Sequence, residues 1–252
     1  MTDAAASSRS GTVIGVLTVA YAIAFNIPFA ILSSIFDYPQ VLRRPAGEVL
    51  ALFNAGGPPL ILTWNAFAAA ALLLAPLAIA VSLRTDRIVK LPALAVGAAI
   101  TGSLAGVTQA IGLWRWVFVV PGLARAYVDP AAGAAAKSSA VDIFNLINQY
   151  GGVTIGEHIG QLLTALFVLM LSLALFRERR HLTAVIGFVT AAAIAIGSIE
   201  GVAIALGRSG RVLSLVTIAG FLLLTVWLIA LGIGMIRGSR APARAGMDSS
   251  GV

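Results

Sequence analysis

Cysteine is absent, histidine occurs twice, and Asp, Glu, Lys and Arg together make up only 11% of the 252 residues. Without cysteine there is no disulfide framework, no thiolate metal site and no cysteine nucleophile. Two histidines, with one of them inside an apolar run, cannot supply the bis-histidine ligation of a membrane haem or a three-histidine zinc site. Soluble domains carry about 25% charged residues, so the scarcity of charge also argues against a water-soluble fold. No glycine-rich phosphate loop, no GxGxxG after a strand, no HExxH and no GxSxG is present. Neither metal nor cofactor is therefore expected.

What is present is apolar. Hydrophobic residues reach 59% and the mean hydropathy is +0.97. Crossing the hydrocarbon core takes about 20 mostly apolar residues. Six stretches qualify: 12–35, 59–83, 91–113, 153–176, 184–207 and 213–236. The first is longer than the apolar core of a signal peptide and is read as a retained helix. Strand-like alternation is missing, and backbone groups in lipid must be satisfied internally, so the spans are helices. The expected fold class is all-α, a polytopic transmembrane bundle of about six spans. The polar ends, 1–11 and 238–252, are expected to be disordered.

The net charge of +7 forms no basic face that would suit nucleic acid. Its cations punctuate the apolar runs instead, as the positive-inside bias requires. With the N-terminus inside, ten Lys and Arg fall on the inner side and seven on the outer. Both termini are thus expected in the cytoplasm. The two long connections, 36–58 and 114–152, then lie outside. Each contains a short amphipathic segment. In the first, Asp37 stands as a cap ahead of Pro39, and Pro45 precedes an apolar face of Val49, Leu50, Leu52 and Phe53. In the second, Ser139 and Asp142 have capping-box spacing before Val141, Phe144, Ile147 and Tyr150. Both segments end in a double glycine, Gly56-Gly57 and Gly151-Gly152, which reads as a helix stop and hints at a duplicated hairpin.

Polar side chains inside the spans gather in the half nearest these long connections. Asn26 lies roughly 14 Å in from that end, Asn65 about 9 Å, Gln109 about 6 Å and Glu200 about 10 Å, at 1.5 Å per helical residue. Glu157, His158 and Gln161 occupy the first turns of the fourth span. A carboxylate within a membrane span faces the bundle interior or a wet cavity and marks a functional candidate. Glu157 and His158 sit between Gly156 and Gly160, and Glu200 between Gly197 and Gly201. These GxxxG frames would let spans four and five approach and bring Glu157 or His158 towards Glu200. A structural pair between Glu157 and Arg115, or a simple interhelical hydrogen bond from His158, fits the same residues. Trp114, Arg115 and Trp116 read as an interfacial belt or as a head-group contact. Arg43 and Arg44 read as contacts to lipid phosphates.

Several separated motifs resemble one bacterial membrane-protein family. They are Phe36-Asp-Tyr-Pro39-Gln-Val-Leu-Arg-Arg44-Pro45, Gln109-Ala-Ile-Gly112-Leu-Trp-Arg115-Trp116, Pro121-Gly-Leu-Ala-Arg125-Ala-Tyr127 and Tyr150-Gly-Gly-Val-Thr-Ile-Gly-Glu157-His158-Ile-Gly160. Together they are similar to the family of domain of unknown function 4386, from about Tyr21 through the remaining spans. The resemblance implies a compact multi-pass helical protein of a bacterial cytoplasmic membrane. That family has no assigned reaction, so no catalytic role is carried over.

Three functions stay open at this point. The first is a non-enzymatic pocket in the outer half that binds or moves a small ligand, lipid or ion, lined by Asn26, Asn65, Gln109, Arg115, Trp116, Glu157, His158, Gln161 and Glu200. The second is an intramembrane enzyme on a lipid-like substrate, with Glu157 or Glu200 as base, His158 as acid or metal ligand and Arg115 as anion anchor. The third is a structural or regulatory protein whose GxxxG faces bind other helices. Membrane lipids are the expected partners, a homo-oligomer is left open, and nucleic acid is not expected.

Overall fold

The computed structural model describes the backbone of residues 2–239 and the side chains of residues 10–238. Among the described residues there is no strand, and six helices are long and apolar enough to span a membrane: Ser10–Phe36, Ala46–Ser82, Pro92–Val128, Ala134–Arg177, His181–Ala205 and Arg211–Gly238. Helix α1 covers Thr2–Phe36, α2 Ala46–Ser82, α3 Thr85–Lys90 and α4 Pro92–Phe118. Helices α5 (Val120–Val128) and α6 (Ala134–Ile147) fill the second long connection, and α7 covers Gly160–Arg177. Then come α8 (His181–Gly197), the short α9 (Glu200–Ala205) and α10 (Arg211–Ser239). The backbone of segment 1–11 belongs to α1 from Thr2 onward, and most of the tail, 240–252, lies outside the described residues.

The spanning helices pack as a closed ring. Helix α1 touches α2, α2 touches α4, and α4 touches α7; α7 meets α8, α8 meets α10, and α10 returns to α1. Chain neighbours are thus spatial neighbours, as short connections between antiparallel helices dictate. The ring turns Val13, Ile23, Leu62, Ile100, Val189 and Val226 outward, each more than half exposed. Only a lipid surround makes that arrangement favourable.

The two ends of the ring differ. Near the short connections, Leu77, Ala78, Val81, Phe167, Leu171, Ile194, Trp227 and Leu231 fill the centre in one apolar cluster. Near the long connections a second cluster is displaced to one side. It joins Leu32 and Phe36 of α1 to Phe53 and Trp64 of α2, Trp116 of α4, Val120 of α5 and Phe144 of α6. Aromatic rings dominate it: Trp64 stacks on Trp116 at 4.8 Å and 11°, and Phe53 on Trp116 at 5.6 Å.

The two double glycines behave differently. Gly57 adopts φ 56°, ψ −155° and kinks α2 at the expected stop, open only to glycine. Gly151 and Gly152 instead lie within a wide π-helical stretch, Asn148–Ile159, that carries α6 into α7 without interruption. A Cβ on Gly152 would meet the Arg115 guanidinium, so this glycine admits a side chain rather than ending a helix. The duplicated-hairpin expectation therefore fails. The capping roles fail as well: Asp37 has φ 52° and its carboxylate faces Arg44, while Ser139 and Asp142 lie inside α6, which starts at Ala134.

Candidate functional site

The space left by the sideways aromatic cluster is a cavity of about 710 Å³. Its walls come from α1 (Phe25, Asn26, Phe29), α2 (Trp64, Phe67), α4 (Gln109, Arg115, Trp116), the π-helical stretch (Gly156, Glu157), α7 (Gln161), α9 (Glu200) and α10 (Thr217, Phe221). Interhelical hydrogen bonds mark its deep end. Asn26 Nδ2 donates to Thr225 Oγ1 at 3.0 Å, and Gln109 Nε2 donates to Thr164 Oγ1 at 2.9 Å. Beyond them the apolar cluster of the short-connection half begins.

A loop from the first long connection covers the other end. After the cis peptide at Tyr38-Pro39, a single 3₁₀ turn, Gln40–Arg43, runs across the ring. Arg43 reaches into the bundle and holds both intramembrane acids. Its Nη2 donates to Glu200 Oε1 at 2.8 Å and to Glu157 Oε2 at 3.4 Å, and its Nε donates to Glu200 Oε1 at 3.3 Å. Burial opposes the charge on Arg43, but the Glu157 and Glu200 carboxylates outweigh that penalty and hold its pKa above the ordinary arginine value. Its neighbour Arg44 turns the other way, to Asp37 at 2.5 Å and Glu48 at 2.7 Å.

Glu157 and Glu200 therefore share one guanidinium, which occupies the position a cation between them would take. Among the described residues, no group of three His, Cys, Asp or Glu side chains is arranged to hold a metal. His158 lies outside the cavity wall. Its Nδ1 is 2.8 Å from the carbonyl of Ser198, and because a carbonyl only accepts, Nδ1 carries the proton. That carbonyl lies in the break between α8 and α9, where Ser198 Oγ bonds back to Ala195 O and competes with the helix.

The cavity brings together seven of the nine expected residues: Asn26, Gln109, Arg115, Trp116, Glu157, Gln161 and Glu200. It leaves out His158 and Asn65. Asn65 faces outward and accepts a hydrogen bond from Trp114 Nε1 at 3.2 Å. The expected belt splits accordingly. Trp114 stays near the lipid face, whereas Arg115 and Trp116 are buried, at 7% and 0% exposure. Arg115 does not pair with Glu157. It donates to Gly112 O and to Asn148 Oδ1 (3.0 Å) and stands 5.1 Å from the Trp116 ring, while its Nε has no hydrogen-bond partner among the described residues.

The glycine frames also pack otherwise than expected. A Cβ on Gly112 would lie 2.6 Å from Gly156 Cα, so the close crossing is between α4 and the π-helical stretch. Gly160 packs against Gln109 of α4, and Gly197 against Thr217 of α10. Gly201 alone keeps the expected approach of spans four and five, since a Cβ there would lie 3.1 Å from Val153; the shared Arg43 and the bond between His158 and the Ser198 carbonyl complete the contact near the two acids.

Arg43, expected at lipid phosphates, is instead the charged cavity residue that pairs with both acids. A signal was available: of the two adjacent arginines, Arg44 has a carboxylate at i,i+4 spacing, Glu48, and Arg43 has none at three or four residues on either side. Two acids buried in spans need a counter-charge, and the cation without a local partner is the one free to supply it.

A family model described as a domain of unknown function (DUF4386) matches residues 13–232. No curated protein and no solved structure matches the chain. With a single model running from the first span to the last, the chain belongs to the family of domain of unknown function 4386.

Proposed function

We propose that this integral membrane protein binds an amphiphilic, lipid-like ligand in the cavity of its outer half, with both termini cytoplasmic. The observation that carries the reading is the cavity's two-part lining. Phe25, Phe29, Phe67, Ile218, Phe221 and Leu222 offer an apolar body, and Arg43, Glu157, Gln161 and Glu200 form a polar end under the covering loop. Ligand pockets run about 300–1,000 Å³ and combine apolar walls with a few orienting polar groups, and 710 Å³ falls in that range. The distribution of Lys and Arg, ten against seven, supports the orientation.

Catalysis by Glu157 or Glu200 is the weaker reading, since a base must be free to take a proton and Arg43 occupies both carboxylates. A helix-docking role is weaker too, because Gly156, Gly160 and Gly197 are spent on contacts within the ring. The test is Glu200→Gln in detergent-purified protein, titrated with a fluorescent single-chain phospholipid. Binding should weaken at least tenfold, with membrane insertion and Tm nearly unchanged; binding at the wild-type level would remove Glu200 from the site.

A further inference from the structure

At the opposite end of the ring lies a second cavity, of about 390 Å³, that shares no residue with the first. Three elements converge there: α3, the turn between α7 and α8, and the last turns of α10. Five cations line it, namely Arg84, Arg87, Lys90, Arg177 and Arg180, against two acids, Asp86 and Glu178.

One cation is already consumed. Arg87 is 4% exposed, and it clasps Glu178 with two bonds, Nε to Oε1 at 2.6 Å and Nη2 to Oε2 at 3.0 Å. Its Nη1 donates to Val81 O at 2.6 Å. Both Glu178 oxygens are thereby engaged by Arg87. Arg84, Lys90, Arg177 and Arg180 have no ion pair among the described residues.

Two of these four are held in place. Arg84 Nη1 is buried without a hydrogen-bond partner among the described residues. The Arg180 guanidinium lies over Gly234 and Gly238 of α10, where a Cβ on Gly238 would stand 3.0 Å from Nη2. Burial, followed by the nearby Arg180 and Arg87 charges, holds the Arg84 pKa below the ordinary arginine value. Cations thus outnumber acids five to two around this cavity, and one buried arginine donor has no hydrogen-bond partner among the described residues. The rest of the wall is apolar, from Leu91 and Leu231. Guanidinium groups match phosphate oxygens geometrically and bond them in pairs.

We propose that this second cavity binds the phosphate group of an anionic phospholipid, with Arg84 and Arg180 as its principal ligands and the acyl chains lying against α10. Basic pockets between spans at a membrane surface recognise acidic head groups by this chemistry. The proposal uses none of the residues of the outer cavity, so either can fail without the other.

The test follows the Tm of delipidated full-length protein in detergent, titrated separately with dioctanoyl phosphatidylglycerol, dioctanoyl phosphatidylcholine and inorganic phosphate. Phosphatidylglycerol should raise Tm saturably and further than phosphatidylcholine, whose shift reports only the outer cavity. The double variant Arg84→Gln/Arg180→Gln should need roughly 30-fold more phosphatidylglycerol for the same shift, given what each cation near an anionic surface contributes. Arg125→Gln/Lys137→Gln removes as much charge from the far end and should leave the titration unchanged. Should the double variant fold poorly, Arg84→Lys keeps the charge, loses the planar fork and should still weaken the response severalfold. A full shift with inorganic phosphate alone would support the phosphate site and reassign its source to the soluble ion. Equal shifts with both lipids, or an unaltered response in Arg84→Gln/Arg180→Gln, would overturn the proposal.

Discussion

An arginine clasps glutamate at each end of this bundle, and the two clasps are built to different ends. Arg87 has a side chain only 3% exposed, bonds both oxygens of one carboxylate, and spends a further donor on a helix-terminal carbonyl. Arg43 has a side chain 37% exposed and divides itself between two carboxylates from separate spans, one of them at 3.4 Å. In the first, the arginine is desolvated and fully bonded beside a filled apolar core, while its Glu178 partner keeps 30% of its side chain exposed. The second stands at the mouth of a cavity, where water or a ligand can compete for each partner. Charge chemistry is the same in both, and burial decides whether it locks the fold or waits at a site.

Removing one member of the buried clasp gives the largest effect that separates them. Arg87→Ala leaves Glu178 and the Val81 carbonyl without their donor at the packed end, and an orphaned buried polar group costs about 1–3 kcal/mol, more where it is charged. A large fall in Tm, or loss of folded protein from the membrane fraction, is the expected outcome. A Tm within a degree or two of the parent would mean that Arg87 is no more structural than Arg43.

A middle-sized effect lies at the cavity wall. Gly112→Ala places a methyl against the Gly156 backbone, which has no rotamer with which to yield. Overpacking of this kind costs about 1–3 kcal/mol. It should part α4 from the π-helical stretch and alter ligand binding together with stability. Thermal unfolding and lipid titration of the same preparation would measure both, and a change in neither would show that the crossing relaxes freely.

The ring of helices was legible because hydrophobicity over about 20 residues is a local signal, and six such runs with short connections leave few packings. Most cavity residues were legible for a related reason, since polar groups are conspicuous against Ala, Leu, Ile and Val. What failed was whatever depends on direction around a helix. Asn65 and Trp116 both lie near the long-connection ends of their spans, yet Asn65 faces outward and Trp116 is wholly buried. The kink at Gly57 and the π-helical stretch after Ile147 rotate the flanking faces by amounts that no period of 3.6 reveals. The glycine frames misled in the same way. Their spacing announces close packing but not the partner, and Gly156 chose α4 over α8.

The smallest effect on stability carries the most information about function. Arg43→Gln removes a guanidinium whose side chain is 37% exposed, and the two carboxylates it leaves line a cavity that water can enter, so Tm should fall less than in Arg87→Ala. Yet the variant leaves Glu157 and Glu200 facing the cavity without their shared cation. Negative potential at the polar end should then repel an anionic head group and favour a cationic one, reversing the order of affinity between fluorescent amphiphiles that differ only in head-group charge. Raising ionic strength screens exposed charges within about 8–10 Å, so salt should mimic part of this change in the wild-type protein while leaving the Arg87 clasp, and hence most of the stability, untouched. Were Arg43→Gln instead to lower Tm as far as Arg87→Ala does, the covering loop would be part of the structural core and the cavity beneath it a consequence of packing. A smaller fall in Tm with a reversed head-group preference would set the two clasps apart as fastening and gate.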